Sequence, residues 1–265
     1  MNSELEPRIK MAFYIASTAS GLIRDLFHKT LKTEGKISSD FASELEASIE
    51  TMCIKNIQSL FPDDGFVAEQ GNDYPAKNEY TWVVDPLDGL ENFLRGLPLC
   101  GFQLTITKGG SLAYSVIVRP FTQEWFTATA GSGAFYENQL TGEKSAISVS
   151  GRALEESMVI FDSSIGRSDN PSTQLLGGLA DEVAVARSFG TAAFDLPAVA
   201  AGVAEVLITG IAKLTDITAG TLLVREAGGE VYDLKGKAPE LTEDFMIFSS
   251  KSLKEPLLKA IRSYV

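Results

Sequence analysis

Polar and apolar positions along this chain follow two rhythms. Near the start, Ile9, Phe13, Ala16 and Ile23 recur near helical spacing among charged residues, which predicts an amphipathic helix. Further along, Phe102 to Thr107 and Leu112 to Val118 alternate with the two-residue period of strands around Lys108-Gly109-Gly110-Ser111, a hairpin signal, and Glu124 to Thr129 reads as the next strand. These segments predict an antiparallel meander whose apolar face the helices before residue 60 would cover. From Met158 onward strands alternate with helices, including 193–203 and 218–227, the second closed by Gly228-Gly229 as a C-cap. The pattern is that of an α/β (α+β) chain in two parts, an N-terminal α+β half over 1–150 and a C-terminal α/β half over 151–265.

Candidate chemistry concentrates where the strand Trp82-Val83-Val84 runs into Asp85-Pro86-Leu87-Asp88-Gly89. Pro86 fixes its own backbone and lacks an amide donor, and Gly89 permits a sharp turn and close approach to a ligand. Both carboxylates and the Leu87 carbonyl can then face one cavity. Hard oxygen donors of this kind suit Mg²⁺, which binds through a few carboxylates together with substrate phosphate. An Asp-Pro turn chosen for its conformation alone accounts for the same residues. Two further acids favour the metal reading: Glu69 closes the short apolar run Phe66-Val67-Ala68, and Asp216 sits in the first turn of a buried helix, where the helix dipole favours an anion.

At these residues the chain resembles the inositol monophosphatase family of Mg²⁺-dependent, Li⁺-sensitive phosphatases. The resemblance rests on Trp82 to Gly89 followed by Asn92-Phe93, and on Asp216-Ile217-Thr218-Ala219-Gly220 running into Glu226-Ala227-Gly228-Gly229. Gly131-Ser132-Gly133-Ala134-Phe135 and Arg187-Ser188-Phe189-Gly190-Thr191-Ala192-Ala193 support it in collinear order. It implies a layered α-β-α-β-α sandwich with metal ligands meeting between its halves, and a homodimer. It assigns Glu69, Asp85 and the Leu87 carbonyl to one Mg²⁺, and Asp85, Asp88 and Asp216 to a second, with Glu69, Asp85 and Asp88 as catalytic residues. Backbone amides at Gly89 and Leu90 would hold a phosphate oxygen, and Gly190, Thr191, Ala192 and Thr209 would lie on the substrate side. The implied activity is hydrolysis of a small phosphorylated metabolite, an inositol monophosphate or a related sugar or nucleotide phosphate.

The chain departs from the family pattern at several points. Leu90 stands where the family carries Thr or Ser, a hydroxyl that with the acid at Glu69 orients the attacking water; Glu91 is a weak substitute. The departure admits a second reading, a catalytically impaired member with a metal- or phosphate-binding or regulatory role. Thr209 replaces the Glu that grips sugar hydroxyls in inositol-specific members, and Thr215 replaces a Trp. Glu46 stands where an Asp is usual, leaving open a third Mg²⁺ against an acidic, solvated helix face through Glu44, Glu46 and Glu50. Lys36 is the candidate basic residue of the loop before it.

Composition sets outer limits. A chain of 265 residues with 45% hydrophobic content buries a large core as one domain or two intimate halves. A net charge of −12 argues against a nucleic-acid surface. Cys53 and Cys100 lack CxxC spacing and read as reduced core thiols, and the single histidine, His28, excludes a multi-histidine metal centre. His28 and Arg24 read as surface residues, and Phe93, Phe121 and Phe126 as core or subunit contact. Without a secretory pattern or a long apolar run, the expected location is cytoplasmic and no membrane is expected as a partner.

Overall fold

The computed structural model describes residues 4–34, 38–69, 71–162, 171–210, 213–239 and 245–262; Lys36 lies outside them. Two long helices open the chain, α1 (Leu5–Glu34) and α2 (Ser39–Leu60). The Ser38 side chain caps α2 by accepting from the Phe41 amide at 3.3 Å. Next come β1 (Gly65–Ala68), β2 (Tyr80–Asp88), the short α3 (Leu90–Leu94), β3 (Gly101–Lys108), β4 (Ser111–Arg119), β5 (Glu124–Thr129), β6 (Gly133–Asn138) and β7 (Lys144–Ile147). Among the described residues these strands form one seven-stranded sheet in sequential order, antiparallel except for the parallel pair β1–β2.

The remainder is β8 (Met158–Phe161), α4 (Pro171–Leu179), β9 (Val185–Arg187), α5 (Ala192–Ala200), β10 (Val206–Thr209), α6 (Leu214–Glu226), β11 (Gly229–Tyr232), β12 (Met246–Ser250) and α7 (Lys254–Ile261). Its strands form a second sheet in the order β11-β12-β10-β8-β9, mixed in direction.

Helices α1 and α2 pack on one face of the large sheet, and α5 and α6 fill the space between the two sheets. Helices α4 and α7 pack against each other, and their buried Leu175, Leu179, Leu257 and Ile261 share a core with the small-sheet residues Phe161 and Ile247. Each interface has its own apolar core, so the fold is the expected α-β-α-β-α sandwich. At the α5–α6 crossing a Cβ on Gly220 would fall 2.2 Å from Leu196 Cδ1, so only glycine allows the two helices this close together.

Two expectations for the first helix change. Its buried stripe runs through Ala12, Ile15, Ala16, Ala19, Ile23 and Phe27, whereas Phe13 is 42% exposed and stacks on Trp125 at 4.4 Å. Arg24 is half-buried rather than a surface residue, with its Nε buried. His28 is exposed, Phe93 and Phe126 are core residues, and both cysteines are buried free thiols. No helix among the described residues is long and apolar enough to cross a membrane.

The start of β2 is anchored by a buried ion pair. Asp64 accepts from Arg8 Nε at 2.8 Å and Nη2 at 2.6 Å, from Asn78 Nδ2 at 2.7 Å and from Trp82 Nε1 at 2.8 Å. Despite burial, these donors and the guanidinium charge hold its carboxyl below the usual range. Arg8 also lies over the Tyr80 ring at 3.8 Å, so α1, the turn before β1 and β2 are locked together below the acidic strand end.

Candidate metal and phosphate site

Strand alternation alone would send Asp85 and Asp88, three residues apart, to opposite faces. The register prevents this: Asp85 pairs with Gln103 and Asp88 with Gly101, so β2 spends one residue more than β3 over this stretch. The bulge falls between Asp85 and Asp88, a stretch that includes Pro86, which has no amide to lose from the ladder. Asp85, Leu87 and Asp88 then all line a single cavity of about 450 Å³. Gly89 closes the turn at φ 86°, and a Cβ there would come within 2.8 Å of the Leu99 carbonyl oxygen.

Three separate segments bring acids into this cavity. Glu69 follows β1, Asp85 ends the regular part of β2, and Asp216 is the third residue of α6; one carboxylate oxygen from each lies within 4.8 Å of the others. Asp216 is oriented by the Lys213 amide at 3.2 Å and by the Thr215 hydroxyl at 3.1 Å, so the threonine in place of tryptophan serves as a donor to the acid. Asp88 lines the cavity but is held differently. Its Oδ2 accepts from the Thr191 hydroxyl at 2.8 Å, from Gln103 Nε2 at 3.1 Å and from the Ala193 amide. Asn92 donates to the Leu99 and Phe189 carbonyls at 2.9 and 2.7 Å, tying α3 to the 187–193 segment. Gly89, Leu90 and Gly190 share the cavity wall.

The electrostatics are those of crowded carboxylates. Burial, then Asp88, Asp216 and Glu69, push the Asp85 carboxyl well above the usual range. Burial and Asp216 raise Asp88 to about 7, and burial and Glu69 raise Asp216. Glu46 is raised to about 7 by burial, Glu69 and Glu50.

The solvated-face reading of α2 is therefore corrected. Glu44 is exposed, but Glu46 and Glu50 are 3% and 0% exposed, because the face that carries them packs inward and points Glu46 into the cavity. Glu91, the weak substitute, is exposed and pairs with Arg95 at 3.6 Å.

Three residues that the sequence reading did not single out belong here. Lys213 forms an ion pair with Glu69 and is, among the described residues, the basic side chain lining the cavity. Asp162 follows β8 and accepts from Thr209 Oγ1 at 2.8 Å and from the Gly210 amide at 2.7 Å. Asp195 is buried in the first turn of α5. Asp162 closes an apolar strand as Glu69 does, so the same signal was available for it. Thr209 and Ala192 line a smaller adjoining cavity of about 80 Å³ that shares Asp88, Gly190 and Asp216 with the first.

The fold and this geometry have counterparts. The chain is 30% identical over 241 residues to Nus factor SuhB from Xylella fastidiosa, covering 90% of this chain and 86% of the relative. It is 28% identical over 259 residues to histidinol-phosphatase from Chlorobaculum parvum, covering 97% of each. The crystal structure of extragenic suppressor protein suhB from Bartonella henselae superposes with a TM-score of 0.86 at 25% identity, covering 98% of this chain and all of that one. The model of the inositol monophosphatase family matches residues 4–265. With its layered fold and its acids gathered at one cavity, this chain belongs to the inositol monophosphatase family, whose members are phosphoric monoester hydrolases.

Proposed function

We propose that the chain hydrolyses a small phosphate monoester with the help of Mg²⁺. The observation that carries this is the convergence of Glu69, Asp85 and Asp216 within 4.8 Å, three carboxylates from three distant segments. The donor set is oxygen throughout, as Mg²⁺ requires, and its repulsion is relieved only in part by Lys213, so the site is built for a cation. Glu69, Asp85 and the Leu87 carbonyl would hold one ion; Asp85, Asp88 and Asp216 would hold a second, and Glu46 is placed to support a third. Bound there, Mg²⁺ supplies charge neutralisation for the phosphate and activation of water.

The chain's own residues do the rest. Amides at Gly89 and Leu90 take a phosphate oxygen, and Gly190 and Thr191 with Ala192 flank the leaving alcohol. Glu69, only partly buried, accepts the proton of the attacking water. Leu90 offers no hydroxyl to orient that water, which supports a second reading, a member that binds metal and phosphate but turns over slowly. A homodimer and inhibition by Li⁺ belong to the first reading.

Phosphate release from inositol 1-phosphate, fructose 1,6-bisphosphate, histidinol phosphate and 3′-phosphoadenosine 5′-phosphate, with and without Mg²⁺ and with Li⁺ added, tests it. Mg²⁺-dependent turnover supports the hydrolase, and silence across the panel with Mg²⁺ binding intact supports the impaired reading.

A further inference from the structure

The first turn of α5 is completed by side chains from elsewhere in the fold. Thr191, which opens the helix, makes no side-chain capping bond to it, and its hydroxyl goes to Asp88 Oδ2 at 2.8 Å. The Ala193 amide, one of those that a helix start leaves without a helical partner, also donates to Asp88 Oδ2. On the carbonyl side the helix carries Pro197 in its interior. A proline has no amide for the carbonyl one turn before it, and that carbonyl belongs to Ala193. Arg119 Nε supplies the missing donor at 3.1 Å, and Arg119 Nη2 donates to the next carbonyl, that of Phe194, at 3.0 Å.

The large sheet holds this guanidinium in place. Arg119 ends β4, pairs at 3.3 Å with Glu124, its cross-strand neighbour on β5, and lies over the Phe126 and Phe194 rings at 4.7 and 4.2 Å. With its planar fork bonded and stacked, it is a fixed point against which α5 rests. The approach is close: a Cβ on Gly101, the partner of Asp88 across β2 and β3, would fall 2.4 Å from Ala193 Cβ. Ala193 therefore has Asp88 on its amide and Arg119 on its carbonyl.

We infer that Arg119 is a positioning residue for Asp88: it takes the place of the helical amide that Pro197 removes, and so keeps the Ala193 amide and the Thr191 hydroxyl on the carboxylate. The inference rests on the metal-dependent reading for what Asp88 does and adds what keeps Asp88 in position. Of the donors to Oδ2, those two come from this turn and Gln103 Nε2 comes from β3. A slackened turn would leave the carboxylate free to rotate, and outer partners that orient a ligating carboxylate contribute to metal affinity.

A double-mutant cycle tests this, read by hydrogen exchange of the Ala193 amide in chelator and by calorimetry of Mg²⁺. Arg119→Met is expected to lower protection at Ala193 at least about tenfold more than at Leu104 in the middle of β3, and to weaken Mg²⁺ binding by about tenfold, the lower end of the range for lost outer support. Pro197→Ala returns an amide to the Ala193 carbonyl; it is expected to restore most of both losses in the Arg119→Met chain and to change little by itself. If Arg119→Met does not fold, Arg119→Lys, which keeps the charge but not the forked donors, takes its place in the cycle with losses in the same direction. Equal loss of protection at Ala193 and Leu104, a loss that Pro197→Ala does not restore, or an unchanged Mg²⁺ affinity overturns the inference and leaves Arg119 a structural ion pair. If the wild type binds no Mg²⁺, the metal-dependent reading falls, and the exchange measurement by itself supports or overturns the role of Arg119.

Discussion

Replacing Asp85 by asparagine should stabilise the metal-free protein while abolishing its Mg²⁺ response. The substitution is isosteric, and an asparagine Oδ1 can still accept from the Leu87 amide, now 3.1 Å from the aspartate. What disappears is a charge 1% exposed to solvent. At the 4.8 Å that bounds the Glu69, Asp85 and Asp216 oxygens, two unit charges repel by about 3.5 kcal/mol in an effective dielectric of about 20. The protein relieves part of this by keeping a proton, which is why the Asp85 carboxyl is raised.

The pH dependence has a definite sign. A carboxyl raised in the folded state holds more protons there than in the unfolded chain, so its stabilising effect is complete below the unfolded pKa, about 3.9, and is lost as pH rises through the folded value. With Asp88 raised to about 7, metal-free wild type should lose stability between about pH 4 and pH 8. Asp85→Asn should recover about 2–4 kcal/mol of this at pH 8, a rise of about 5–15 °C in Tm for a chain of this size, and nothing near pH 4.

Thermal melts in chelator at both pH values, repeated with Mg²⁺, provide the assay. Wild type should gain about 2.7 kcal/mol at a Mg²⁺ concentration 100 times its Kd, and the variant almost none. A lower Tm for the variant at pH 8 in chelator, or an undiminished Mg²⁺ shift, would refute the view that these carboxylates repel one another in order to hold a cation.

Leu90→Thr should raise kcat for Mg²⁺-dependent phosphate release by about 10²-fold or more, the usual scale of a positioned proton acceptor, at a cost of about 1 kcal/mol for the partly buried leucine; a stability loss without a rate gain would show that the missing hydroxyl is not what limits the reaction. Lys213→Met removes the cation that competes for Glu69. Since solvent-exposed pairs contribute about 0.2–1 kcal/mol, Mg²⁺ affinity measured by calorimetry should rise by no more than about fivefold, and weaker binding would mean that Lys213 assists the site instead. Gly89→Ala forces a left-handed backbone and a clash with the Leu99 carbonyl, so circular dichroism melts should show a loss of at least about 1–3 kcal/mol, and an unchanged Tm would contradict the tight turn.

Much of the fold was legible because its signals are local. The hairpin at Lys108 to Ser111 and the strand at Glu124 to Thr129 lie where alternation and turn residues place them, and Gly228, at φ 89°, follows the end of α6 as a C-cap glycine should. Two of the quoted motifs even meet in space: the Glu226 carboxylate accepts from the Gly131 and Gly133 amides at 2.8 Å each, joining α6 to the β5–β6 turn. That contact explains why a Glu before the Gly pair and a Gly-Ser-Gly turn occur in the same chain, though neither stretch reveals it alone.

The site was only half legible, for a reason its geometry makes plain. Asp85-Pro86-Leu87-Asp88-Gly89 names the ligands, but whether both acids share a face depends on one extra residue of β2 against β3, a property of pairing rather than of the strand itself. Glu46 looked solvated because one helix seen alone does not say which of its faces a partner covers. Lys213 was missed because it acts through Glu69, a residue far away in sequence, whereas Asp162 carried the same strand-end signal as Glu69 and only its bond to Thr209 was hidden. Charge balance draws these together. Glu46, Glu69, Asp85, Asp88 and Asp216 face one cavity with a single lysine among its described lining residues, a surplus that no packing argument justifies. Such a surplus is tolerable only if protons fill it in the resting protein and a cation fills it in the working one, and the titration of the metal-free form is where that exchange becomes visible.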